Sequence, residues 1–362
     1  MTIDLRQLME ERIDAMPSTA GDLDTVRSAG RRIRRRRRAV LGAAASSAVL
    51  AAGMVVAITA GTGTDDETAS DMTDFSSIGA LDLSDGIRAY GDATFVSIGG
   101  RRVPAEDLAW LDTDAAATSY GIVFYDRGRP VLLDESGDFS PLVDGPLDQV
   151  SDFHPTAKVD AAGSVVAWAT LRDGQVTITT YDLASGDVVA SVQPGCGRCD
   201  DLVIDGIDDG VVFVRDGSGT RTWDSATGEW SEFAGPDTRV ADVRSGVVLY
   251  DGPAPTGAGD WRLVPGAIDA QLTLDGEHVL YWSSTLEPTA PGGEPIVLDE
   301  GPADGQGYGQ WTIDTDGSVL VITAGRRGKD LVYDCVVPAG DCVRIDSFQA
   351  IGGDPVFMGN DM

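Results

Sequence analysis

Four cysteines are the residues whose type and spacing suggest chemistry most directly, and they form two close pairs. Cys196 and Cys199 form a C-x-x-C, but the strand-like runs on either side provide no helix N-terminus to lower a thiol pKa. A zinc site built from all four would have to use Cys335 and Cys342, whose six-residue spacing is wide for zinc. We therefore predict two local disulfides, Cys196–Cys199 and Cys335–Cys342, with redox chemistry and zinc binding as the alternatives.

The other reactive residues do not form a recognisable catalytic set. His154 and His278 have no partner at the spacing of metal ligands or of a catalytic triad, so we expect both to be structural. Residues 216–223, DGSGTRTW, resemble the Asp-box turn of sialidase propellers, but the serine is missing and one residue is inserted. We find no phosphate loop, no nucleophile elbow and no H-E-x-x-H. The sequence thus predicts no catalytic residue, no cofactor and no metal site.

A basic cluster followed by an uncharged stretch predicts the location of the protein in the cell. Residues 39–60 carry no charge and would form a helix of roughly 33 Å, long enough to cross a hydrocarbon core of about 30 Å. A basic cluster precedes this stretch and consists of Arg31, Arg32, Arg34, Arg35, Arg36, Arg37 and Arg38. Arginines beside a span stay on the cytoplasmic side. We therefore expect a single-pass protein of the cell membrane with residues 1–38 inside and residues 61–362 outside, where disulfides persist.

Two other interpretations of residues 39–60 remain open. The pair Arg37-Arg38, followed by an alanine-rich stretch, fits a twin-arginine export signal loosely, in which case the protein is secreted after cleavage. The stretch could also be a buried core helix. On the main interpretation, residues 1–38 form a cytoplasmic tail with a short amphipathic helix at 2–16, and residues 61–77 form an acidic linker.

Charge is divided sharply between the two ends of the chain. Residues 1–38 carry a net charge of +4, whereas residues 61–362 carry −35. A domain this acidic does not bind nucleic acid by neutralising phosphates, and an anionic membrane surface repels it. Lys158 and Lys329 are the only lysines, and this scarcity, with abundant Ala, Gly, Asp and Val, suggests a GC-rich actinobacterial genome.

From residue 78 onward, one pattern recurs. A turn glycine followed by a β-run begins at Gly91, Gly121, Gly163, Gly210, Gly246, Gly276 and Gly317, at a mean spacing of about 38 residues. A second hairpin follows several of these runs, as in TTYDLASGDVVAS from Thr179. Each unit therefore holds four strands, which is the size of a β-propeller blade. We predict an all-β, seven-bladed β-propeller over residues 78–362, with six to eight blades as the range, and with inner strands such as 165–168 most deeply buried.

Closure of such a ring requires one blade to combine strands from both ends of the chain. The first unit, residues 86–108, is short. The tail from Gly352, GGDPVFMGN, is predicted to supply its missing strand.

Two resemblances support this layout. Residues 274–282, LDGEHVLYW, resemble the D-G-x-x-φ-x-φ strand starts of WD40-like and TolB-type propeller repeats. The leader LDTVRSAGRRIRRRRR, residues 23–38, followed by a span, a linker and a propeller, is similar to membrane-anchored propeller proteins of actinobacteria. That group has no assigned activity, so the resemblance implies fold and location but no site residues.

These features favour a non-enzymatic binding or scaffold module whose partner is an unknown protein or glycan at a propeller face. The alternatives are a glycosidase or lyase acting on extracellular or cell-wall sugars, and a signalling protein that acts through residues 1–38. Fold alone does not decide between them.

Overall fold

The described residues form a ring of seven small β-sheets. The computed structural model describes residues 80–82, 84–92, 94–104, 115–126, 128–145, 147–148, 156–195, 201–281, 284–299, 309–325, 328–349 and 356–357. Within these ranges the secondary structure consists of strands and turns. Each sheet is one blade, so the predicted all-β, seven-bladed propeller is confirmed.

The strands are grouped here by blade, in hydrogen-bonded order. Blade 1 consists of β27 (Val356–Phe357), β1 (Tyr90–Asp92), β2 (Phe95–Ile98) and β3 (Arg101–Pro104). Blade 2 consists of β4 (Ala116–Thr118), β5 (Gly121–Asp126), β6 (Arg129–Leu133) and β7 (Phe139–Pro141). Blade 3 consists of β8 (Lys158–Val159), β9 (Val165–Arg172), β10 (Gln175–Asp182) and β11 (Asp187–Val192). Blade 4 consists of β12 (Val203–Asp208), β13 (Val211–Asp216), β14 (Gly219–Asp224) and β15 (Trp230–Ala234). Blade 5 consists of β16 (Arg239–Arg244), β17 (Val247–Asp251) and β18 (Arg262–Pro265). Blade 6 consists of β19 (Gln271–Leu272), β20 (His278–Leu280), β21 (Thr285–Pro288) and β22 (Ile296–Val297). Blade 7 consists of β23 (Gln310–Ile313), β24 (Val319–Ala324), β25 (Asp330–Cys335) and β26 (Cys342–Phe348).

The repeated β-run is the second strand from the channel in blades 2–7. Strand β9 follows Gly163, and the innermost strand of the same blade is the two-residue β8. Val166 and Trp168 of β9 pack toward blade 2, and Ala167 packs toward blade 4, so all three are fully buried. The second strand is the most buried because neighbouring blades cover both of its faces, whereas the first strand borders the central channel.

Blade 5 departs from the predicted four-stranded pattern. It has three strands in the described part of the chain, and β18 pairs with β17 in parallel. The segment between them contains Pro253 and Pro255 and extends toward blade 4, where the Gly257 N–H donates to the Phe233 carbonyl at 2.9 Å. A tight hairpin after β17 is thereby replaced by a long connection, which brings β18 back in the parallel direction.

The tail closes the ring as predicted. Strand β27 pairs antiparallel with β1, with Tyr90 opposite Phe357 and Gly91 opposite Val356. The same junction carries an ion pair between Arg102 and Asp346 at 2.7 Å, and the Tyr90 hydroxyl donates to Asp346 at 2.8 Å. Blade 1 is therefore built from both ends of the described domain.

The core is distributed around the ring. Among the described residues, buried apolar side chains form seven clusters, each at a junction between consecutive blades. At the junction of blades 4 and 5, for example, Phe213 packs edge-on against Phe233 and Trp261. Because the blades are held mainly by their neighbours, loss of one junction weakens the whole ring.

Several predictions concern residues outside the described ranges. These are the tail at 1–38 with its basic cluster, the span at 39–60, the linker at 61–77, the pair Cys196–Cys199, and His154. Within the described part of the chain, no helix has the length and apolarity needed to cross a bilayer.

Candidate functional site

The central channel is the concave site shared by most blades. It is lined by the first strands of blades 2 to 7 and by the turns that follow them, and its cavity has a volume of about 70 Å³. Much of the lining is small, as at Ala116, Ala157 and Ala241, so the strands approach closely. The charged residues of the lining are Lys158, Asp160, Asp205, Asp242, Arg244, Asp269 and Asp314. The channel is therefore narrow and carries more negative than positive groups.

Aspartates of the innermost strands and turns connect consecutive blades. Asp208 accepts a hydrogen bond from the Gly246 N–H at 2.7 Å, which joins blade 4 to blade 5. Asp242 accepts one from the Leu272 N–H at 2.8 Å, which joins blade 5 to blade 6. These carboxylates satisfy backbone donors that would otherwise be buried without a partner.

Neutral side chains make the same connection at other junctions. Gln271 Oε1 accepts from the Ile313 N–H at 3.0 Å and joins blade 6 to blade 7. The Thr156 hydroxyl donates to the Ile204 carbonyl at 2.9 Å and joins blade 3 to blade 4. The polar lining is thus used largely to hold the ring together.

Asp314 connects blade 7 to blade 1. Its Oδ2 accepts from the Arg88 N–H at 2.9 Å, and its Oδ1 accepts from the Ile87 N–H at 3.2 Å. Burial raises the pKa of Asp314 to about 6, although these N–H groups lower it. The neighbouring carboxylate of Asp316 adds to the increase in pKa. The buried site therefore disfavours the charged form despite its hydrogen bonds.

Two more channel carboxyl groups are shifted in the same direction. Burial raises the pKa of Asp205, against the opposing charge of Arg215, whose Nε lies 3.1 Å from both carboxylate oxygens. Asp205 lies at a β-bulge between Ile204 and Gly206, which interrupts the pairing of β12 with β13. Burial also raises the pKa of Asp160, whose Oδ1 accepts from the Val165 N–H at 3.1 Å. Both carboxylates have structural partners, so the raised pKa values follow from packing.

The structure contains one of the two predicted disulfides among its described residues. Cys335 and Cys342 are bonded, with an S–S distance of 2.04 Å, and lie directly opposite each other on β25 and β26. The prediction for this pair is confirmed. Within the described ranges, no group of three or more His, Cys, Asp or Glu side chains is arranged to hold a metal ion.

The other described candidates occupy turns and strand ends. His278 begins β20, and its Nε2 lies 3.3 Å from the Glu294 carbonyl. Asp216 ends β13 and accepts hydrogen bonds from Ser218, so DGSGTRTW consists of the last residue of β13, a two-residue turn and the first five residues of β14. Arg221 in this segment pairs with Asp216 at 3.1 Å and stacks over Trp230 at 4.8 Å. These contacts are structural.

Sequence analysis did not identify the channel residues, although a signal for some of them exists. A polar residue lies three positions before the turn glycine at Thr118, Asp160, Thr273 and Asp314. In the structure this residue ends the innermost strand or follows it, and its side chain bonds to backbone at the turn or in the next blade.

No family model and no curated protein matches this sequence. Solved structures with a similar chain course include TolB from Acinetobacter baumannii, with a TM-score of 0.34, 14% identity and coverage of 75% of this chain. The chain spans 66% of the length of that TolB. BamB from Moraxella catarrhalis aligns with a TM-score of 0.33, 14% identity, and coverage of 68% of this chain and 89% of its own. These similarities are low, and the assignment of a propeller rests on the strand pairing described above.

Proposed function

We propose that this protein is a non-enzymatic binding scaffold, displayed on the outer face of the cell membrane and held there by one helix over residues 39–60. The basic cluster Arg31–Arg38 would keep the tail in the cytoplasm. The propeller would then present its faces to an extracytoplasmic protein or glycan.

The proposal is supported mainly by the hydrogen bonds through which carboxylates near the channel hold neighbouring blades together. Asp242 and Asp314 in the channel lining accept backbone hydrogen bonds from the next blade, and so does Asp208 at the end of β12. A glycosidase needs two carboxyl groups that face a sugar, about 5–10 Å apart, with room for the ring between them. The channel cavity of about 70 Å³ is far below the roughly 300–1,000 Å³ of typical ligand pockets. The channel geometry therefore favours a framework role over catalysis.

The charge of the domain restricts the chemistry of its partner. Residues 61–362 carry a net charge of −35, so a neutral or basic partner is favoured and polyanions are repelled. Such a field speeds association with a basic partner and makes the rate depend on salt.

A binding function is distinguished from an enzymatic one by incubating the detergent-solubilised full-length chain with purified cell-wall glycan. Co-sedimentation or no interaction, without release of new reducing ends, is the expected result. Release of reducing ends that disappears in the double variant Asp160→Asn/Asp205→Asn would contradict the proposal.

Topology is tested by adding protease to intact cells that carry an epitope tag at each end of the chain. The C-terminal tag should be lost, and the N-terminal tag should survive until the cells are lysed. Survival of both tags in intact cells would exclude an extracytoplasmic propeller. Recovery of the propeller in the medium without the N-terminal tag would instead indicate cleavage and secretion.

A further inference from the structure

A second cavity lies where blade 7 meets blade 1, and we call it the seam groove. It is lined by residues that include Asp85, Arg88, Asp316, Ser318, Asp334 and Val343, and its volume is about 460 Å³. This volume lies within the range of roughly 300–1,000 Å³ that is typical of ligand pockets. The seam groove does not share its lining residues with the central channel.

The walls of the seam groove are fixed by contacts within the protein. Asp314 accepts hydrogen bonds from the Ile87 and Arg88 N–H groups and so fastens one wall to the turn between β23 and β24. The opposite wall is the hairpin of β25 and β26, which the Cys335–Cys342 disulfide closes. A site held in this way loses little conformational entropy when a ligand binds.

The seam groove has an excess of negative charge. Three carboxylates, from Asp85, Asp316 and Asp334, face a single guanidinium, that of Arg88. Arg88 contacts only Oδ2 of Asp334, from Nη2 at 2.9 Å and from Nε at 3.3 Å. Asp85 and Asp316 are exposed. A cationic ligand would therefore be attracted to this groove.

Two polar atoms in the lining are buried without a hydrogen-bond partner. They are the hydroxyl of Ser318, a residue that is 7% exposed, and Oδ1 of Asp334. A buried polar atom without a partner destabilises the folded protein, because its hydrogen bonds to water are lost and not replaced. A ligand that brings N–H donors and displaces the half-buried Arg88 side chain would satisfy both atoms, which is an independent indication that the groove accepts a hydrogen-bonding group.

The hairpin wall adds exposed apolar surface. Val336 is 53% exposed and Val343 is 64% exposed, and both line the groove. Val343 lies directly opposite Asp334 in the pairing of β25 with β26. The cationic and apolar parts of a ligand must therefore lie on one side, as they do in an extended peptide with a basic and an aliphatic residue two positions apart.

We propose that the seam groove binds an extended peptide segment of a partner protein. A lysine or arginine side chain of that segment lies against Asp334, Asp316 and Asp85, and an aliphatic side chain two positions away lies on Val336 and Val343. This site lies apart from the central channel. The assignment of the propeller as non-enzymatic can therefore fail without affecting it.

The test is fluorescence anisotropy with full-length protein in detergent and two labelled hexapeptides. One peptide carries arginine with a valine two positions away on each side, and the other carries glutamine in place of the arginine. The arginine peptide should bind saturably, and the glutamine peptide should bind several-fold more weakly because it lacks the charge. No saturable binding of the arginine peptide up to about 1 mM would overturn the proposal.

Matched variants distinguish binding in the seam groove from attraction by the overall negative charge of the domain. Asp85→Asn/Asp316→Asn removes two groove charges, and the asparagine oxygen at 316 can still accept from the Ser318 N–H. This double variant should bind the arginine peptide several-fold more weakly than the native protein does. The control Asp187→Asn/Glu232→Gln makes the same change in charge at exposed sites on β11 and β15 and should have no effect. Equal losses in the two variants would show that only the overall field attracts the peptide, and would refute the groove.

Hydrogen–deuterium exchange of the unmodified protein provides a measurement that depends on no variant. The arginine peptide should slow exchange in residues 84–88 and 334–345. Protection confined to other parts of the propeller would exclude the seam groove as the binding site.

Discussion

Phe357→Ala is the sharpest test of ring closure. Phe357 is 5% exposed and lies on β27, which contributes only two residues to blade 1. Its side chain packs in one cluster with Tyr90, Leu320 and Phe348, so it fills the junction between blades 7 and 1. Truncation of a buried phenylalanine to alanine costs about 3–5 kcal/mol, because apolar contacts are lost and a cavity remains.

This cost should be measurable by thermal and urea denaturation of the full-length protein. A change of 1 kcal/mol shifts the Tm of a large domain by roughly 2–4 °C, so we expect a decrease on the order of 10 °C. Deletion of residues 352–362 removes β27 entirely and should cost at least as much. The matched control is Val297→Ala, since Val297 is 65% exposed on an outer strand and its truncation should be nearly neutral.

The reasoning would be refuted if Phe357→Ala and Val297→Ala lowered the Tm equally. It would also fail if the chain lacking residues 352–362 kept the stability of the full chain. Either result would mean that the strand pairing at the seam does not hold the ring together.

Three further predictions follow from the same region of the molecule. Gly86→Ala should destabilise far more than Gly174→Ala in urea denaturation: both glycines have positive φ, but a Cβ at Gly86 would lie 2.1 Å from Asp314 Oδ2, whereas one at Gly174 meets nothing within 4 Å. Equal effects would show that only the backbone conformation matters. Because folding raises the pKa of Asp314 from 3.8 to about 6, its contribution to stability is fully present below about pH 4 and is lost as the pH rises to 6. The stability of the native protein relative to Asp314→Asn should therefore fall by about 2 kcal/mol between pH 4 and pH 7, and a constant difference would contradict the raised pKa. Replacing Cys335 and Cys342 by serine should cost about 2–3 kcal/mol through loss of the cross-link in the unfolded chain, measured as a lower urea midpoint, and an unchanged midpoint would show that the disulfide does not stabilise the hairpin.

The parts of the fold that could be predicted from sequence are those with local signals. Runs such as Val165–Thr170 are long and apolar because neighbouring blades bury both faces, and a turn glycine precedes each of them. The innermost strands carry no such signal. Strand β8 has two residues, and the strand β4 consists of two alanines and a threonine. The innermost strands β12 and β16 have six residues each, but charged residues interrupt their apolar runs. The runs and their deep burial could therefore be predicted, whereas the innermost strands could not.

Blade 5 shows why regular spacing alone was insufficient. The spacing between Gly246 and Gly276 is 30 residues, which is the lower limit of the spacings between the seven glycines. Pro253 and Pro255 interrupt the hairpin that the other blades form at this point. Proline provides no N–H for a strand ladder, so the segment becomes a connection and β18 pairs in parallel. Spacing between glycines measures the amount of chain in a unit, whereas the pairing depends on which backbone donors are present.

The seam groove could not be predicted because its two walls are far apart in sequence. Ser84, Asp85 and Arg88 come from the beginning of the described domain, and Asp334 and Val343 come from near its end. Each group has an ordinary local explanation, as a turn, a strand position or an acidic surface. They become neighbours only because β27 pairs with β1 and Asp314 binds the backbone of Ile87 and Arg88. Closure of the ring and formation of the groove thus depend on the same contacts, so a change that opens the seam must also dismantle the proposed peptide site.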